Sequence, residues 1–240
     1  MEVIIKNNYE EISRLAAEYL INTVKAKNDA ILGLPTGSTP VGMYKAVIAQ
    51  YKDNISFQNV RTFNLDEYVG LDKTNINSYR YFMDENLFSH IDIKEENIHI
   101  PNGVAQDSEQ ECIDYEEMLS STGQMDIMYL GIGHNGHIGF NEPEDFFEPF
   151  THIVKLTEDT IEANKRFFDS FESVPKTAIT MGIKTIMSAK KIILLASGGS
   201  KAEAISKTIK GKITPQVPAS ILQLHNDVTL IIDMDAAKYL

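Results

Sequence analysis

The sequence predicts a three-layer α/β/α fold, in which a mainly parallel, Rossmann-like sheet carries helices on both faces. Short apolar runs alternate with amphipathic stretches, which is typical of buried parallel strands connected by helices. The apolar runs end in turns rich in glycine, hydroxyl and charged residues, and open α/β sheets bind their ligands at that edge. The chain has 240 residues and no repeat, low-complexity segment or linker, so we expect one domain over residues 1–240.

The composition disfavours several classes of partner. With 43% hydrophobic and 23% charged residues, the chain has the make-up of a soluble globular protein. Its net charge of −12 disfavours nucleic acid and anionic membranes, because both attract basic surfaces. The single cysteine, Cys112, cannot form an internal disulfide. The first residues do not resemble a signal peptide, and no apolar run approaches the ~20 residues of a membrane span, so we expect a cytoplasmic protein.

Strands and helices are predicted to alternate in the first half of the chain. Apolar residues recur at three- and four-residue spacing over 9–27, which is the period of a helix with one buried face. Thr39 is a suitable N-cap for the next helix, and Pro40 suits its first position. Strands are predicted over 3–5, 30–34, 60–65 and 98–100. Helices are predicted over 9–27, about 40–51, about 76–88 and 108–121.

The second half continues the alternation after one irregular segment. Residues 143–150 (PEDFFEPF) are rich in proline and aromatic side chains and lack periodicity, so we expect a loop there and a lid over about 143–172. Strands are predicted over 126–130, 152–156, 178–181, 192–196 and 228–232. Helices are predicted from 157 to about 171, over 183–188 and over about 201–210.

Two turns at helix starts have the chemistry of anion sites. Thr36, Gly37, Ser38 and Thr39 bring hydroxyls and free backbone N–H groups to a helix N-terminus, where negative charge is stabilised. The turn 197–201 (SGGSK) repeats this chemistry and adds the cation Lys201. Together the two turns suggest a phosphate monoester. Neither has the GxxxxGK[ST] spacing of a P-loop, which disfavours a nucleotide triphosphatase.

Two adjacent carboxylates, Asp66 and Glu67, follow the third predicted strand, at the edge where ligands bind. Consecutive side chains of an extended chain point in opposite directions, so we expect at most one of the two to face the crevice. A solvated loop acid is the alternative for either of them.

The turn after strand 126–130 holds the densest group of polar residues. It formally matches the dinucleotide pattern GxGxxG, but Gly139 and Pro143 follow where a helix is required, so a dinucleotide is disfavoured. His134, His137 and Glu142 lie close together, yet nothing in their spacing demands a metal. General acid–base chemistry without metal or cofactor remains: His137 oriented by Glu142, with Asp66 as a separate base. Two bases around a sugar phosphate suggest ring opening followed by proton transfer between adjacent carbons.

These segments resemble the glucosamine-6-phosphate deaminase family over nearly the whole chain and in the same order. The matching segments are residues 34–40 (LPTGSTP), 63–71 (FNLDEYVGL), 131–143 (GIGHNGHIGFNEP), 166–169 (RFFD) and 197–201 (SGGSK). The resemblance implies a hydrolase of amino-sugar catabolism, the route that also degrades N-acetylglucosamine. It would convert glucosamine 6-phosphate and water to fructose 6-phosphate and ammonia, by aldose–ketose isomerisation with deamination and without a cofactor.

The resemblance also implies roles for individual residues. His137, supported by Glu142 and Asn135, would assist opening of the pyranose ring. Asp66 would then take the proton from C2 and return it at C1, after which the imine is hydrolysed. The substrate phosphate would be held by Thr36, Gly37, Ser38, Thr39, Arg166 and Lys201.

The chain departs from the family pattern in two places. Many members have aspartate at the position of Asn135, and asparagine can orient a histidine but cannot act as a base. Allosteric hexameric members have a longer C-terminus and basic residues after the FNEP segment, where this chain has Glu144, Asp145 and Glu148. We therefore expect no activation by an acetylated amino-sugar phosphate, and a monomer or small homo-oligomer.

Two other functions remain to be weighed against the deaminase. 6-Phosphogluconolactonase is similar around the glycine–histidine turn, but its reaction needs no base such as Asp66 at C2. Sugar-phosphate-sensing regulators use this kind of fold with a basic DNA-binding segment, whereas the N-terminus here is acidic. The presence of Asp66, His137 and Glu142 together favours an enzyme.

Overall fold

The structure is a computed structural model that describes residues 1–51, 55–165, 168, 170–171 and 173–240 of the chain. Its centre is a seven-stranded parallel sheet with the order β1-β10-β9-β6-β2-β3-β5. A second sheet has three antiparallel strands in the order β4-β8-β7. The strands are β1 (Glu2–Lys6), β2 (Ile31–Leu34), β3 (Arg61–Asn64), β4 (Asp66–Tyr68), β5 (Ile98–His99), β6 (Ile127–Leu130), β7 (His152–Lys155), β8 (Thr177–Thr180), β9 (Ile192–Ala196) and β10 (Val228–Asp233).

Helices cover both faces of the large sheet, so the predicted three-layer α/β/α fold is confirmed. The α-helices are α1 (Tyr9–Ala26), α2 (Val41–Tyr51), α3 (Tyr79–Asn86), α4 (Ser108–Thr122), α5 (Glu158–Asn164), α6 (Ile183–Met187) and α7 (Ala202–Lys210). Short 3-10 helices lie at Phe88–His90, Glu95–Asn97, Gly199–Lys201 and Pro218–Leu224. Within the described ranges, no helix has the length and apolar character needed to cross a membrane.

The wholly apolar strands supply both cores because side chains alternate between the faces of a sheet. In β9, Ile192 and Leu194 pack in the core under α4, α6 and α7, whereas Ile193 and Leu195 pack in the core under α1, α2 and α3. This explains why β9 reads as a continuous apolar run and not as an alternating one. Such a run predicts a central strand with helices on both sides.

The second sheet was not predicted, and it corrects the position of Asp66 and Glu67. The predicted strand 60–65 ends at Asn64, and the two acids belong to β4, which pairs antiparallel with β8. They are therefore fixed by strand hydrogen bonds and are not loop residues. A third apolar cluster beneath this sheet includes Tyr68, Phe140 and Leu156, and it joins β4 to the segment that follows the glycine-rich turn.

The predicted start of α2 agrees with the structure to within one residue, whereas the predicted start of α3 was wrong. Helix α2 begins at Val41, and Pro40 precedes it, with its carbonyl accepting the hydrogen bond from the Tyr44 N–H (3.0 Å). Helix α3 begins at Tyr79 instead of about residue 76, because residues 70–78 form turns ahead of the N-cap Ser78. Helix α5 ends at Asn164, and several residues of its predicted continuation lie outside the described part of the chain.

Candidate active site

The carboxyl ends of the central strands surround a cavity of about 520 Å³. Residues from all four predicted strand ends line it, as expected for a parallel sheet. The predicted site residues that line it are Thr36, Gly37, Ser38, Thr39, Asp66, Asn135, His137 and Lys201. Glu142 lies behind His137 and is buried. Arg166 falls outside the described residues.

Backbone hydrogen bonds and two glycines shape the turn that carries His137. Gly133 N–H donates to the His137 carbonyl (2.9 Å), and Gly136 N–H donates to the Gly133 carbonyl (3.1 Å). The His137 ring lies so close to Gly133 that a Cβ there would come within 2.4 Å of it. Gly136 has a φ of +90°, a left-handed conformation that other residues adopt at a cost. The turn therefore needs glycine at both positions to present the histidine.

The carboxylate of Glu142 is held at both oxygens. Its Oε2 lies 3.3 Å from His137 Nδ1 and accepts a hydrogen bond from Asn135 Nδ2 (2.7 Å). Its Oε1 accepts from the hydroxyls of Thr160 and Thr157, the latter at 3.2 Å. The Asn135 Oδ1 also accepts from the His137 N–H (3.2 Å), so Asn135 bridges the acid and the histidine.

These contacts keep Glu142 ionised. Burial alone raises the pKa of its carboxyl, but the hydrogen bond and charge of His137, with hydrogen bonds from Thr160 and Asn135, outweigh burial and lower the pKa to about 2. A carboxylate that is permanently charged beside Nδ1 favours the proton on that nitrogen. When the imidazole is neutral, its other nitrogen, Nε2, is therefore the one that can accept a proton from a ligand.

Asp66 has the opposite electrostatic environment. It is 6% exposed and faces the cavity. Burial, and then repulsion from Glu67, raise the pKa of its carboxyl to about 8. The carboxylate lies beside Gly139, where an added Cβ would come within 3.5 Å of its Oδ2. A weakly solvated carboxylate of raised pKa at the wall of a cavity is suited to act as a general base near neutral pH.

Glu67 does not face the cavity with Asp66. Its Oε1 accepts from the N–H groups of Tyr68 (2.8 Å) and Tyr79 (2.9 Å), and its Oε2 accepts from the Arg80 N–H (3.0 Å). It therefore binds the first turn of α3. The prediction that at most one of the two acids faces the crevice holds, and Asp66 is that one.

In the second of the two predicted anion turns, some of the donors are already hydrogen-bonded within the protein. In the first turn, Gly37 has a φ of +93°, which turns the chain in front of α2. In the second turn, the Ser197 hydroxyl donates to Asp233 Oδ2 (2.5 Å), and the Gly198 N–H donates to the same carboxylate (3.0 Å to Oδ2). The Ser197 hydroxyl and the Gly198 N–H are thus hydrogen-bonded to Asp233 at the end of β10. Lys201 is the residue of that turn that lines the cavity.

Sequence reasoning missed three groups at this site. Thr157 and Thr160 contact Glu142 across 15 and 18 residues of sequence, and no local pattern marks them. Tyr79 also lines the cavity, and its hydroxyl is hydrogen-bonded to that of Tyr68 (3.3 Å). Among the residues that the structure describes, no group of three or more His, Cys, Asp or Glu side chains is arranged to hold a metal ion.

The chain is similar to known proteins over nearly its whole length. The family model described as glucosamine-6-phosphate isomerases/6-phosphogluconolactonase matches residues 6–231. A glucosamine-6-phosphate deaminase of Thermoanaerobacter sp. (strain X514) is 59% identical over 239 residues, covering 99% of this chain and 94% of the relative. One from Clostridium novyi (strain NT) is 57% identical over 241 residues, covering 100% of both chains.

The fold is also similar to those of solved structures. A monomeric glucosamine-6-phosphate deaminase superposes with a TM-score of 0.98 at 51% identity, with 100% of both chains covered. A 6-phosphogluconolactonase from Trypanosoma cruzi superposes with a TM-score of 0.76 at 20% identity, covering 100% of this chain and 96% of that one, which is a likeness of fold alone. The chain belongs to the family of glucosamine-6-phosphate isomerases and 6-phosphogluconolactonases.

Proposed function

We propose that this protein is a glucosamine-6-phosphate deaminase, a hydrolase that converts D-glucosamine 6-phosphate and water to D-fructose 6-phosphate and ammonia. One observation carries the proposal: His137, which Glu142 contacts from behind, and the base Asp66 face one cavity that is also lined by a predicted anion turn. Relatives that are 57–59% identical over nearly the whole chain carry this name, which supports the same activity here.

Ring opening is the first step that the site supports. His137 Nε2 takes the proton of the C1 hydroxyl while the C1–O5 bond breaks, and the proton is delivered to O5. Glu142 and Asn135 hold the imidazole in place and stabilise its charged form during this transfer. Because Asn135 cannot titrate, it acts by orientation alone.

Proton transfer between C2 and C1 is the second step. The open-chain aldehyde carries an ammonium group on C2. Asp66 removes the C2 proton, one ammonium proton moves to O1 to give the enol-amine, and Asp66 then returns its proton to C1. The product is a ketimine at C2. Water adds to C2 and ammonia leaves, which gives the ketose phosphate. C2 is a weak carbon acid, so the raised pKa of Asp66 and its close positioning are both needed.

The substrate phosphate would be bound by the turn ahead of α2 and by Lys201. Thr36, Gly37, Ser38 and Thr39 offer hydroxyl and backbone donors ahead of α2, and Lys201 faces the same cavity. Arg166 is proposed as a further phosphate ligand on the resemblance of residues 166–169 alone. Residues 143–172, which include β7 and α5, are proposed as the lid of a single domain over 1–240.

The proposal also covers the oligomeric state and the cellular location of the protein. The deaminase with a TM-score of 0.98 is described as monomeric, which supports a monomer or small homo-oligomer for this chain. We propose hyperbolic kinetics without activation by an acetylated amino-sugar phosphate, and a cytoplasmic enzyme. Sedimentation analysis measures the assembly, and a sigmoidal rate curve that such an activator makes hyperbolic would contradict the kinetic proposal.

The deciding experiment is an assay of both family reactions with one purified protein. We expect ammonia and fructose 6-phosphate in equal amounts from glucosamine 6-phosphate, and no accelerated hydrolysis of 6-phosphogluconolactone. Lys201→Met should raise KM for glucosamine 6-phosphate more than it lowers kcat. Lactone hydrolysis without ammonia release would replace the deaminase by the lactonase.

A further inference from the structure

The contacts of Glu142 come from two separate parts of the chain. His137 and Asn135, from the glycine-rich turn, contact Oε2. Thr157 and Thr160, from the start of α5, contact Oε1. The terminal torsion of a glutamate side chain has a broad, roughly two-fold energy profile, so contacts on one oxygen alone do not fix the carboxylate plane. The contacts of Oε1 therefore decide how Oε2 faces the histidine.

The two threonines are not equivalent. Thr157 is the N-cap of α5, where its side chain accepts the Thr160 N–H (3.3 Å). Its hydroxyl has a single proton, which it divides between Glu142 Oε1 and the Thr160 hydroxyl, each at 3.2 Å. Thr160 is 5% exposed, and its hydroxyl donates to Glu142. Thr160 is therefore the constant donor to Oε1.

We propose that Thr160 is a positioning residue for ring opening: its hydroxyl holds Oε1 of Glu142 so that Oε2 remains aligned with His137. The proposal rests on the proposed deaminase function, in which Glu142 supports His137. Thr160 does not contact the sugar in this scheme. It connects α5, within the expected lid, to the carboxylate of the ring-opening pair.

Ring opening can be isolated from the later steps in an Asp66→Asn background. That variant lacks the C2 base, so opening and reclosing of the ring interconverts the two anomers of glucosamine 6-phosphate without forming product. Exchange between the anomers is measured by NMR. Thr160→Val in this background should slow enzyme-catalysed exchange on the order of 10-fold or more, as expected for losing a hydrogen bond to a charged group.

Two matched variants separate positioning from folding. Thr160→Ser keeps the hydroxyl and should restore most of the exchange rate. Thr208 is also buried in a helix, and its hydroxyl donates to the Ala204 carbonyl (2.8 Å), so Thr208→Val measures the general cost of this replacement. It should leave the exchange rate unchanged. An unchanged rate in Thr160→Val, or a loss that serine does not restore, would overturn the proposal.

A crystal structure distinguishes failure of this inference from failure of the proposed function. In Thr160→Val, the carboxylate of Glu142 should rotate and lose its contact with His137 Nδ1, which is 3.3 Å in the wild-type protein. If it stays in place, the proposal is wrong whatever the activity. If Asp66→Asn alone does not accelerate anomer exchange over buffer, the ring-opening function fails. The position of the Glu142 carboxylate in the crystal structure then still decides the role of Thr160.

If the Thr160→Val variant does not fold, Thr160→Ala replaces it. If neither variant folds but Thr160→Ser does, Thr160 has a purely structural role and the proposal is overturned.

Discussion

Asp66 and Glu67 are adjacent, buried carboxylates whose side chains point to opposite sides of β4. Asp66 faces the cavity, whereas Glu67 accepts hydrogen bonds from two backbone N–H groups at the start of α3 and from that of Tyr68. Alternation along the strand separates them, and the burial of both raises the pKa of Asp66 to about 8 and that of Glu67 to about 7. One acid is therefore available for chemistry and the other holds the helix beside it.

Replacing Asp66 by asparagine should abolish proton exchange at C2 while ligand binding survives. The amide has nearly the same shape but cannot accept the carbon-bound proton, so kcat should fall by about 10²–10⁴. Loss of the C2 proton signal of glucosamine 6-phosphate in D₂O measures the exchange. Asp29→Asn is the matched control, because Asp29 is exposed near the amino end of β2, away from the cavity. Exchange at the wild-type rate in Asp66→Asn would show that another group is the base.

The same substitution should stabilise the protein at alkaline pH. The folded-state pKa of Asp66, about 8, lies above the value of about 3.9 of an aspartate in an unfolded chain, so the folded protein binds the proton more tightly than the unfolded chain. Stability from this group is complete below pH ~4 and is lost as the pH rises through about 8. Asp66→Asn removes that loss, so its thermal midpoint should exceed that of the wild type increasingly between pH 5 and pH 9. A constant difference across this range would contradict the raised pKa.

Replacing Glu67 by alanine should reduce stability, in contrast to Asp66→Asn. The N–H groups of Tyr68, Tyr79 and Arg80 would lose their acceptor in a largely buried place, which costs about 1–3 kcal/mol. Urea unfolding measures the free energy, with Glu10→Ala on the exposed first turn of α1 as the control. Equal stability of wild type and Glu67→Ala would mean that the acid does not hold α3.

Replacing Asn135 by aspartate tests the environment of Glu142. Asn135 Nδ2 donates to Glu142 Oε2 at 2.7 Å, and a carboxylate there would bring two negative charges together. The thermal midpoint should fall relative to the wild type, more at pH 8 than at pH 4, because a proton shared between the two acids relieves the repulsion. Asn28→Asp, at an exposed position, serves as the control. A deficit that does not change with pH would contradict this account.

Gly133→Ala should displace the His137 ring and lower kcat strongly. The new Cβ would lie within 2.4–2.5 Å of three atoms of the imidazole, so the ring or the turn has to move. A misplacement of about 1 Å can cost about 10²-fold in rate. At Gly199, an added Cβ meets no atom within 4 Å, so Gly199→Ala is the matched control and should retain most of the activity. Comparable kcat values for the two variants would mean that the close approach at Gly133 is not needed.

The sequence was most informative where the signal is local. Continuous apolar runs such as 192–196 predicted central strands, because only a strand covered on both faces lacks polar alternation. The glycines and hydroxyls of 36–39 and the turn 131–142 marked the edge that carries the cavity, because each of these groups is contiguous in the sequence. What the sequence could not supply was pairing between distant segments. The antiparallel sheet of β4, β8 and β7 depends on contacts across more than 100 residues, for example between Asp66 and Thr180.

By itself, then, the sequence determined the layered fold, the edge of the sheet where the candidate site lies, and the residue types available there for acid–base chemistry. The tertiary structure alone decided which of Asp66 and Glu67 faces the cavity, because that depends on the strand pairing and on the position of α3. It also decided that Thr157 and Thr160 complete the shell of Glu142. The pKa values of about 8 for Asp66 and about 2 for Glu142 have the same origin, since burial and hydrogen-bond donors exist only in the folded chain.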